Sequence, residues 1–185
     1  SYKIPVLHQH VQLYRIYNNS NFILGNGNLI VNLGYQFSHR REYTHPEDAT
    51  TAGLNLHLHT YTYDVKYNFT LGNDYETSFG VNGQYQNNAI GDATDFPIPA
   101  YHQFDVGPFA IIKKSFGKLD LSAGARYDNR TFNGQPAYID TLSGKYPQLY
   151  TGSNPGTAPG VSPQFAALNK TFSGFSGSFG ATYNF

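Results

Sequence analysis

The residues best placed for chemistry are five charged side chains that alternate along two extended stretches of the chain. They are Arg40, Glu42, Arg126, Asp128 and Arg130. Guanidinium groups form paired hydrogen bonds with carboxylate and phosphate oxygens, so these residues are candidates for binding an anionic ligand. The alternative interpretation is a ladder of ion pairs that stays within the protein, or contacts to a neighbouring domain.

Two pairs of histidines raise the question of a metal or haem site. His8 with His10, and His57 with His59, each place two imidazoles on one side of an extended strand. Neutral imidazole is a common metal ligand, but no carboxylate or third histidine stands at an obvious spacing. We therefore interpret both pairs as polar residues near the rim or the wet interior of the fold, and we predict no metal site and no cofactor.

Catalytic signatures are absent from the sequence. It contains no G-x-S-x-G, no paired catalytic acids and no His-Glu-x-x-His, so we predict no catalytic residues and no enzyme activity. Cysteine is absent, which excludes disulfides and thiolate metal sites. Twelve basic and twelve acidic residues give a formal charge of zero, which gives nucleic-acid binding no electrostatic support.

The stretch that must position Arg40 and Glu42 runs from Asn28 to Tyr43, and its apolar and polar residues alternate. A period of two indicates a strand with one apolar and one polar face. Strands in soluble domains usually end after about five or six residues, whereas long alternating strands are typical of outer-membrane barrels. We predict that a lipid-facing band consists of Leu29, Val31, Leu33, Tyr35, Phe37, Phe79, Val81, Leu121, Tyr127, Phe179 and Tyr183.

Seven strands are predicted in total, and no helix. They cover residues 8–24, 28–43, 54–69, 75–86, 101–116, 119–132 and 172–185. The facing of the first is undecided because its apolar residues keep no single parity. In the third, either a bulge near Thr60 switches the faces or Leu54, Leu56 and Leu58 point inward. Pro108 removes a hydrogen-bond donor from the middle of the fifth.

The connections alternate between short turns near Gly27, Gly72-Asn73 and Gly117 and longer loops after Tyr43 and Gln86. The longest is a structureless loop over residues 133–168. Outer-membrane barrels have short periplasmic turns and long extracellular loops, so this alternation orients every strand of an antiparallel meander. The low charged fraction of 13% agrees with a membrane protein.

Seven strands cannot close an antiparallel ring, since bacterial barrels have even strand numbers from about eight upward. Either one strand is hidden near residues 147–150, or the chain is part of a larger barrel. The pattern Ser178-x-Gly180-x-x-Tyr183-x-Phe185 resembles the terminal assembly signal of outer-membrane barrels. Internal barrel strands often share this pattern, so we favour a segment that ends at a periplasmic turn.

Several stretches resemble strands of TonB-dependent outer-membrane receptors of the siderophore and iron-complex type. They are NLIVNLGYQFSHRREY, LNLHLHTYTYDVKYNF, FGVNGQYQNN, YHQFDVGPF, LDLSAGARYDNRTF and FSGFSGSFGATYNF. The resemblance implies that residues 1–185 are part of the barrel domain of a receptor with roughly 22 strands in the Gram-negative outer membrane. It implies as partners the outer-membrane lipid, the remaining barrel, a plug domain, TonB acting through that plug, and an iron chelate.

Three functions follow as hypotheses. The first is active uptake of a scarce nutrient, most simply an iron chelate, by a TonB-dependent transporter. The alternative is a non-transporting surface barrel, an adhesin or structural porin-like protein, whose long loop over residues 133–168 is its binding surface. A barrel enzyme is a third possibility that no residue pattern recommends. A plug domain encoded upstream in the gene favours the transporter.

Overall fold

The computed structural model describes residues 7–72 and 74–185, and every regular element in them is a β-strand. Residues 1–6 of the predicted barrel domain and Asn73 of the predicted turn lie outside this description. The strands are β1 (His8–Leu24), β2 (Gly27–Tyr43), β3 (Leu54–Leu71), β4 (Tyr75–Ile90), β5 (Tyr101–Phe116), β6 (Leu119–Gly134), β7 (Ala137–Asp140), β8 (Gln148–Leu149), β9 (Val161–Phe165) and β10 (Leu168–Tyr183). In these ranges no helix has the length and apolarity needed to cross a membrane.

Seven long strands form one antiparallel sheet in the order β1-β2-β3-β4-β5-β6-β10. The prediction of an all-β antiparallel meander is therefore confirmed. The sheet is open in the described part of the chain, with β1 and β10 as its two edges. Gly25 and Gly117 adopt φ values of 60° and 63° in the tight turns β1–β2 and β5–β6, where a side chain would be strained. We call the end of the sheet with these turns the turn end, and the opposite end the loop end.

The register gives the sheet two chemically distinct faces. All eleven residues of the predicted lipid-facing band lie on one of them, because their parities match across every strand pair. We call this the band face. Arg40, Glu42, Arg126, Asp128 and Arg130 lie on the other, which we call the polar face. Because neighbouring residues of a strand point to opposite faces, a shift of one residue in the pairing of a strand would move its band-face residues to the polar face and the reverse.

Pairing with β2 gives β1 the orientation that its own sequence left undecided. Tyr14 lies opposite Phe37 and Ile16 lies opposite Tyr35, so the even-numbered residues of β1 share the band face. Tyr17 and other odd-numbered residues lie on the polar face. β1 carries apolar side chains on both faces, and for this reason its alternation is not visible in the sequence.

The register of β3 is uninterrupted from Leu54 to Phe69 with β2 and from Leu56 to Leu71 with β4, so no bulge occurs near Thr60. Leu54, Leu56 and Leu58 therefore share the polar face with Thr60. Of the two predicted alternatives, the bulge is excluded, and the leucines lie on the polar face. Leu54 is also one of the most buried side chains, with 8% exposure, because loops cover the sheet at this end.

The prediction of a structureless loop over residues 133–168 is wrong. β6 extends to Gly134, β10 begins at Leu168, and between them β7, β8 and β9 form a separate three-stranded antiparallel sheet in the order β8-β7-β9. Strand β8, at residues 148–149, coincides with the predicted hidden strand. It pairs with β7 and does not extend the large sheet. Very short strands beside Pro and Gly residues carry too little alternation to be recognised.

The loops at the loop end are joined to one another by backbone hydrogen bonds. Gly53 donates to Glu42, and its carbonyl accepts from Thr94 and Asp95 at 3.1 and 2.7 Å. The side-chain amide of Gln164 on β9 donates to the carbonyl of Phe96, whose ring is only 5% exposed. Two loops and the small sheet therefore form an ordered cap over one end of the large sheet.

Candidate functional site

The two faces of the large sheet differ in charge. Fifteen Asp, Glu, Lys and Arg side chains lie in its seven strands, and only two of them, Arg41 and Lys114, lie on the band face. The thirteen on the polar face are Arg15, Arg40, Glu42, Asp64, Lys66, Glu76, Asp105, Lys113, Asp120, Arg126, Asp128, Arg130 and Lys170. The polar face is therefore the only face of the strands with the mixed charges of a recognition surface.

Three of the five predicted ligand-binding residues meet in one cleft on the polar face. Arg126, Asp128 and Arg130 line it together with Asp105 and Asn82, and its volume is about 680 Å³. We call it the ladder cleft. The strands that supply these side chains are β4, β5 and β6, and β10 forms the next wall. Because alternate residues of adjacent strands point to the same side, the register alone brings them together.

Asp105 is the centre of the hydrogen bonds in the ladder cleft. Arg130 donates to its two carboxylate oxygens at 2.7 and 2.9 Å, and the amides of Gln84 and Gln103 donate at 3.1 and 3.0 Å. The carboxylate is 17% exposed, whereas the guanidinium of Arg130 is 52% exposed. Asp105 therefore holds one edge of the Arg130 guanidinium group in place, and the remaining N–H groups of Arg130 face the cleft.

Arg126 reaches further across the sheet than its own strand pairing requires. Its Nε donates to Asp128 at 2.7 and 2.9 Å, and its Nη2 donates to Asn82 Oδ1 on β4 at 2.8 Å. Strand β5 lies between β4 and β6, and the guanidinium crosses it above Gly107. A Cβ at Gly107 would lie 2.0 Å from Nη2, so the crossing depends on the missing side chain.

Arg40 and Glu42 do not join this cleft. They form an ion pair with each other near the loop end of β2, and the side-chain amide oxygen of Gln9 on β1 accepts from Arg40 Nε at 2.6 Å. Three strands separate β2 from β6, and strands lie about 4.8 Å apart, so roughly 19 Å separate the two groups. The five predicted residues therefore form two sites on one face and not a single site.

The site also contains four residues that were not predicted from the sequence: Asp105, Asn82, Gln84 and Gly107. Gln103 and Asp105 alternate like the residues of the recognised strands, and this was the available signal. Pro108 obscured it, because proline is unusual in the interior of a sheet. In the structure β5 continues past Pro108, which lies opposite Val81 on the band face.

The histidine pairs lie on the band face near the loop end, at the rim of the sheet and not on its polar face. Tyr43 stacks on His8 with ring centroids 4.4 Å apart, and His39 and His57 meet edge to face at 4.1 Å. The reason is register: His57 lies opposite His39, and His59 lies opposite Phe37. In the described ranges no three His, Cys, Asp or Glu side chains are grouped so that they could hold a metal ion.

Aromatic side chains border the band face at both ends. Near the loop end, Tyr61 lies between Tyr35 and Tyr85, with ring centroids 4.9 and 6.2 Å apart. Near the turn end, Phe79 lies 5.7 Å from Tyr67, and the ammonium group of Lys114 lies 3.9 Å above the ring of Tyr75. This is the arrangement in which amphipathic rings flank an apolar zone.

A second cleft, of about 870 Å³, lies at the loop end between the strands and the cap. We call it the rim cleft. Arg41, Tyr43 and Asn55 enter it from β2 and β3, and Lys145 and Tyr146 enter it from the segment between β7 and β8. Its position continues the band face, since Arg41, Tyr43 and Asn55 have the parity of that face.

Two carboxylates beside the rim cleft are held by local hydrogen bonds. Hydroxyl and amide groups of Thr51 and Thr50 lower the pKa of Asp48 far below its ordinary value. The hydroxyl of Tyr146 donates to Glu47 at 2.8 Å and lowers its pKa. Hydrogen-bond donors of the loops therefore favour the ionised form of both carboxyl groups.

Comparison of the chain with protein-family models, with curated proteins and with solved structures gave no match. The functional argument therefore depends on the geometry of the two faces and on the residues of the ladder cleft.

Proposed function

We propose that the chain forms part of the wall of an outer-membrane barrel, with the band face against lipid and the polar face toward a wet lumen. The observation that carries this proposal is the segregation of charge, which leaves Arg41 and Lys114 as the only charged strand residues of the band face. A charged side chain on the lipid side costs about 2–4 kcal/mol at the midplane and little near the interfaces. Arg41 and Lys114 lie near the two ends, where that cost is small.

The dimensions of the apolar zone support the same assignment. From Leu29 to Phe37 the band runs over eight residue steps of β2, or about 26 Å along the strand. At the tilt of about 35–45° that strands of such barrels adopt, this length corresponds to a height of about 20 Å, close to their apolar zone of about 25 Å. Aromatic rings border the zone at both ends. The exposed apolar side chains, such as Phe179 at 75% and Phe175 at 76%, would otherwise face water.

The open edges support a larger barrel. In a bilayer every unpaired backbone group costs several kcal/mol, so a lipid-exposed sheet edge does not persist. β1 and β10 point in the same direction, because five antiparallel strands lie between them. An all-antiparallel ring therefore closes only with an odd number of additional strands. A barrel of roughly 22 strands, as the resemblance to TonB-dependent receptors implies, satisfies this condition.

Within that barrel we propose uptake of a scarce anionic nutrient, most simply an iron chelate, by a TonB-dependent transporter. The ladder cleft supports this proposal because Arg126 and Arg130 are anchored by Asp128 and Asp105 while Arg130 keeps half of its surface exposed. Two preorganised guanidinium groups bind carboxylate or phosphate oxygens well. TonB and a plug domain would be the partners that this function requires.

Ferric citrate binding to the full chain in detergent micelles tests the ligand proposal. Arg126→Gln and Arg130→Gln should each weaken binding about tenfold or more, since one hydrogen bond to a charged group contributes about 1.5–3 kcal/mol. Lys66→Gln removes a cation from the same face outside the cleft and should have little effect. Equal losses in all three variants would show only a general effect of charge and would contradict the proposed site.

The alternative is a non-transporting surface barrel, and the ordered cap favours it specifically. A small sheet fixed to two loops through Gln164 and Phe96 provides a rigid external surface of the kind that adhesion requires. Deletion of residues 137–165 separates the two functions. Loss of ferric citrate binding with Arg126→Gln but not with the deletion supports uptake, whereas loss of attachment to cell surfaces with the deletion, in a chain that binds no ferric citrate, supports adhesion.

A further inference from the structure

Histidine is distributed unevenly over the sheet. Six of the seven histidines lie in its strands, and all six are on the band face near the loop end. We call them the histidine belt: His8, His10, His39, His57, His59 and His102. Asn87 on β4 lies opposite both His59 and His102, which places these two histidines at the same level on β3 and β5, the two strands that flank β4. The belt therefore forms a row along the edge of the apolar zone.

Arg41 lies within this belt, directly opposite His10. Its Nη2 is 2.8 Å from Nδ1 of His10, and its Nε is buried without a hydrogen-bond partner. A buried N–H group of a guanidinium costs folding free energy unless it donates a hydrogen bond to an acceptor. An anion in the rim cleft would accept from the remaining nitrogens of this guanidinium group, and Lys145, which also lines the cleft, would add a second cation.

We propose that Arg41 and the histidine belt bind the phosphate groups of lipids in the outer leaflet, an inference that rests on the proposed lipid contact of the band face. Arg41 follows Phe37 by four residues, so it lies about 13 Å beyond the apolar zone along the strand. At a strand tilt of about 35–45° this is a height of about 10 Å, and a long arginine side chain can extend back to the headgroup region, which reaches about 5–8 Å beyond the hydrocarbon. A lipid can then place its chains on the band face and its phosphate at Arg41.

Charge complementarity favours a lipid anion over other occupants. None of the described strand residues of the band face is acidic. The carboxylates of the rim cleft come from the loops, and Asp48 already accepts four hydrogen bonds from Thr50 and Thr51. The turn end differs, because the one cation that the described strands place on the band face there, Lys114, lies above the rings of Tyr75 and Phe116. The phosphate site is therefore specific to one leaflet.

Partition of the full chain between water and vesicles tests this proposal. One set of vesicles contains phosphatidylcholine alone, and the other an equimolar mixture with phosphatidylglycerol. Arg41→Gln should reduce partition into the anionic vesicles about fivefold, the effect of one cation at an anionic surface. Arg41→Lys should restore most of it. Arg15→Gln removes a cation from the polar face and should change neither partition.

A direct measurement does not depend on partition. The guanidinium nitrogens of Arg41 should show dipolar coupling to lipid phosphorus in solid-state NMR, and those of Arg15 should not. Absence of this coupling overturns the proposal, as does an equal loss of partition for Arg41→Gln and Arg15→Gln. Binding of inorganic phosphate that depends on Arg41 and persists without vesicles overturns the lipid assignment in favour of a free anion.

The lipid contact of the band face is tested separately. A nitroxide at Leu33→Cys should be relaxed by oxygen dissolved in the bilayer, whereas one at Asn32→Cys should respond to a water-soluble relaxation agent. If the first label is in lipid and Arg41 shows no coupling to phosphorus, only the phosphate site fails. If the first label is in water, the proposed barrel function fails as well.

Discussion

The guanidinium group of Arg126 on β6 donates to the side-chain oxygen of Asn82 on β4 at 2.8 Å, although β5 lies between the two strands. Gly107 makes this contact possible. A Cβ at that position would lie 2.0 Å from Nη2 of Arg126 and 2.6 Å from Oδ1 of Asp128. The geometry of the ladder cleft therefore depends on a residue that contributes no functional group.

Gly107→Ala should displace Arg126 and break its hydrogen bond to Asn82. A hydrogen bond to a charged group contributes about 1.5–3 kcal/mol, and alanine recovers about 0.5–1 kcal/mol of backbone entropy relative to glycine. We expect a net loss of about 1–2 kcal/mol in the free energy of unfolding, measured by urea denaturation in detergent micelles. Gly174→Ala is the matched control, since nothing lies within 4 Å of its Cβ position. Equal stability of both variants would contradict this account.

Asp105→Asn tests the other half of the ladder cleft. The carboxylate accepts from Arg130, Gln84 and Gln103. In the variant, the NH2 group of asparagine would face some of these donors, and two donors cannot form a hydrogen bond with each other. We expect a loss of about 2 kcal/mol in the free energy of unfolding. Asp64→Asn is a suitable comparison, because Asn32 is the one amide that donates to Asp64, at 3.2 Å. A smaller loss for Asp105→Asn than for Asp64→Asn would show that the cluster is not the centre of the cleft.

The strands and faces were largely predictable, because alternation with a period of two is a local property of the sequence. β2, β4 and β6 show it clearly. β1 does not, since Tyr17 and Ile23 are apolar residues on its polar face and are 75% and 85% exposed. Only its pairing with β2, which no local pattern encodes, assigns its orientation. The contact of Arg126 with Asn82 was beyond prediction for the same reason.

Labels on β1 check the orientation that the register assigns. A nitroxide at Ile16→Cys should be relaxed by bilayer oxygen like one at Leu33→Cys, because both residues lie on the band face. A label at Tyr17→Cys should not. The native chain has no cysteine, so each label is unique. A shift of the β1–β2 pairing by one residue would exchange the two results and would overturn the assigned register.

The cap was the part of the fold that the sequence concealed most. Its strands have four, two and five residues, too few to establish a period. Its core uses isolated residues from distant segments, such as Leu54 and Phe96. Burial of this kind arises when loops pack together, and it leaves no repeated pattern in any one of them.

Phe96→Ala should loosen the cap while leaving the large sheet intact. Truncation of a buried phenylalanine costs about 3–5 kcal/mol, and here the loss falls on a local unit of two loops and the small sheet. Limited proteolysis should cleave residues 91–100 and 141–160 much faster in the variant. Ile98→Ala, at a residue that is 38% exposed, should stay close to the native rate. Cleavage within β2 or β3 would instead show that the cap stabilises the whole sheet.

Acid should release the loop of residues 44–53 through Asp48. Hydrogen bonds from Thr51 and Thr50 lower the pKa of this carboxyl below its ordinary value of 3.8. Because the folded pKa is depressed, the carboxylate stabilises the loop fully above pH 3.8, and this stabilisation is lost as the pH falls through the folded pKa. Hydrogen exchange of the Thr50 and Thr51 amides should accelerate below pH 3.8 beyond the intrinsic trend. In Asp48→Asn the amide oxygen can still accept from both backbone amides but no carboxyl is left to titrate, so the pH step should disappear, whereas Asp92→Asn should retain the native profile. A pH step that persists in Asp48→Asn would assign it to another group.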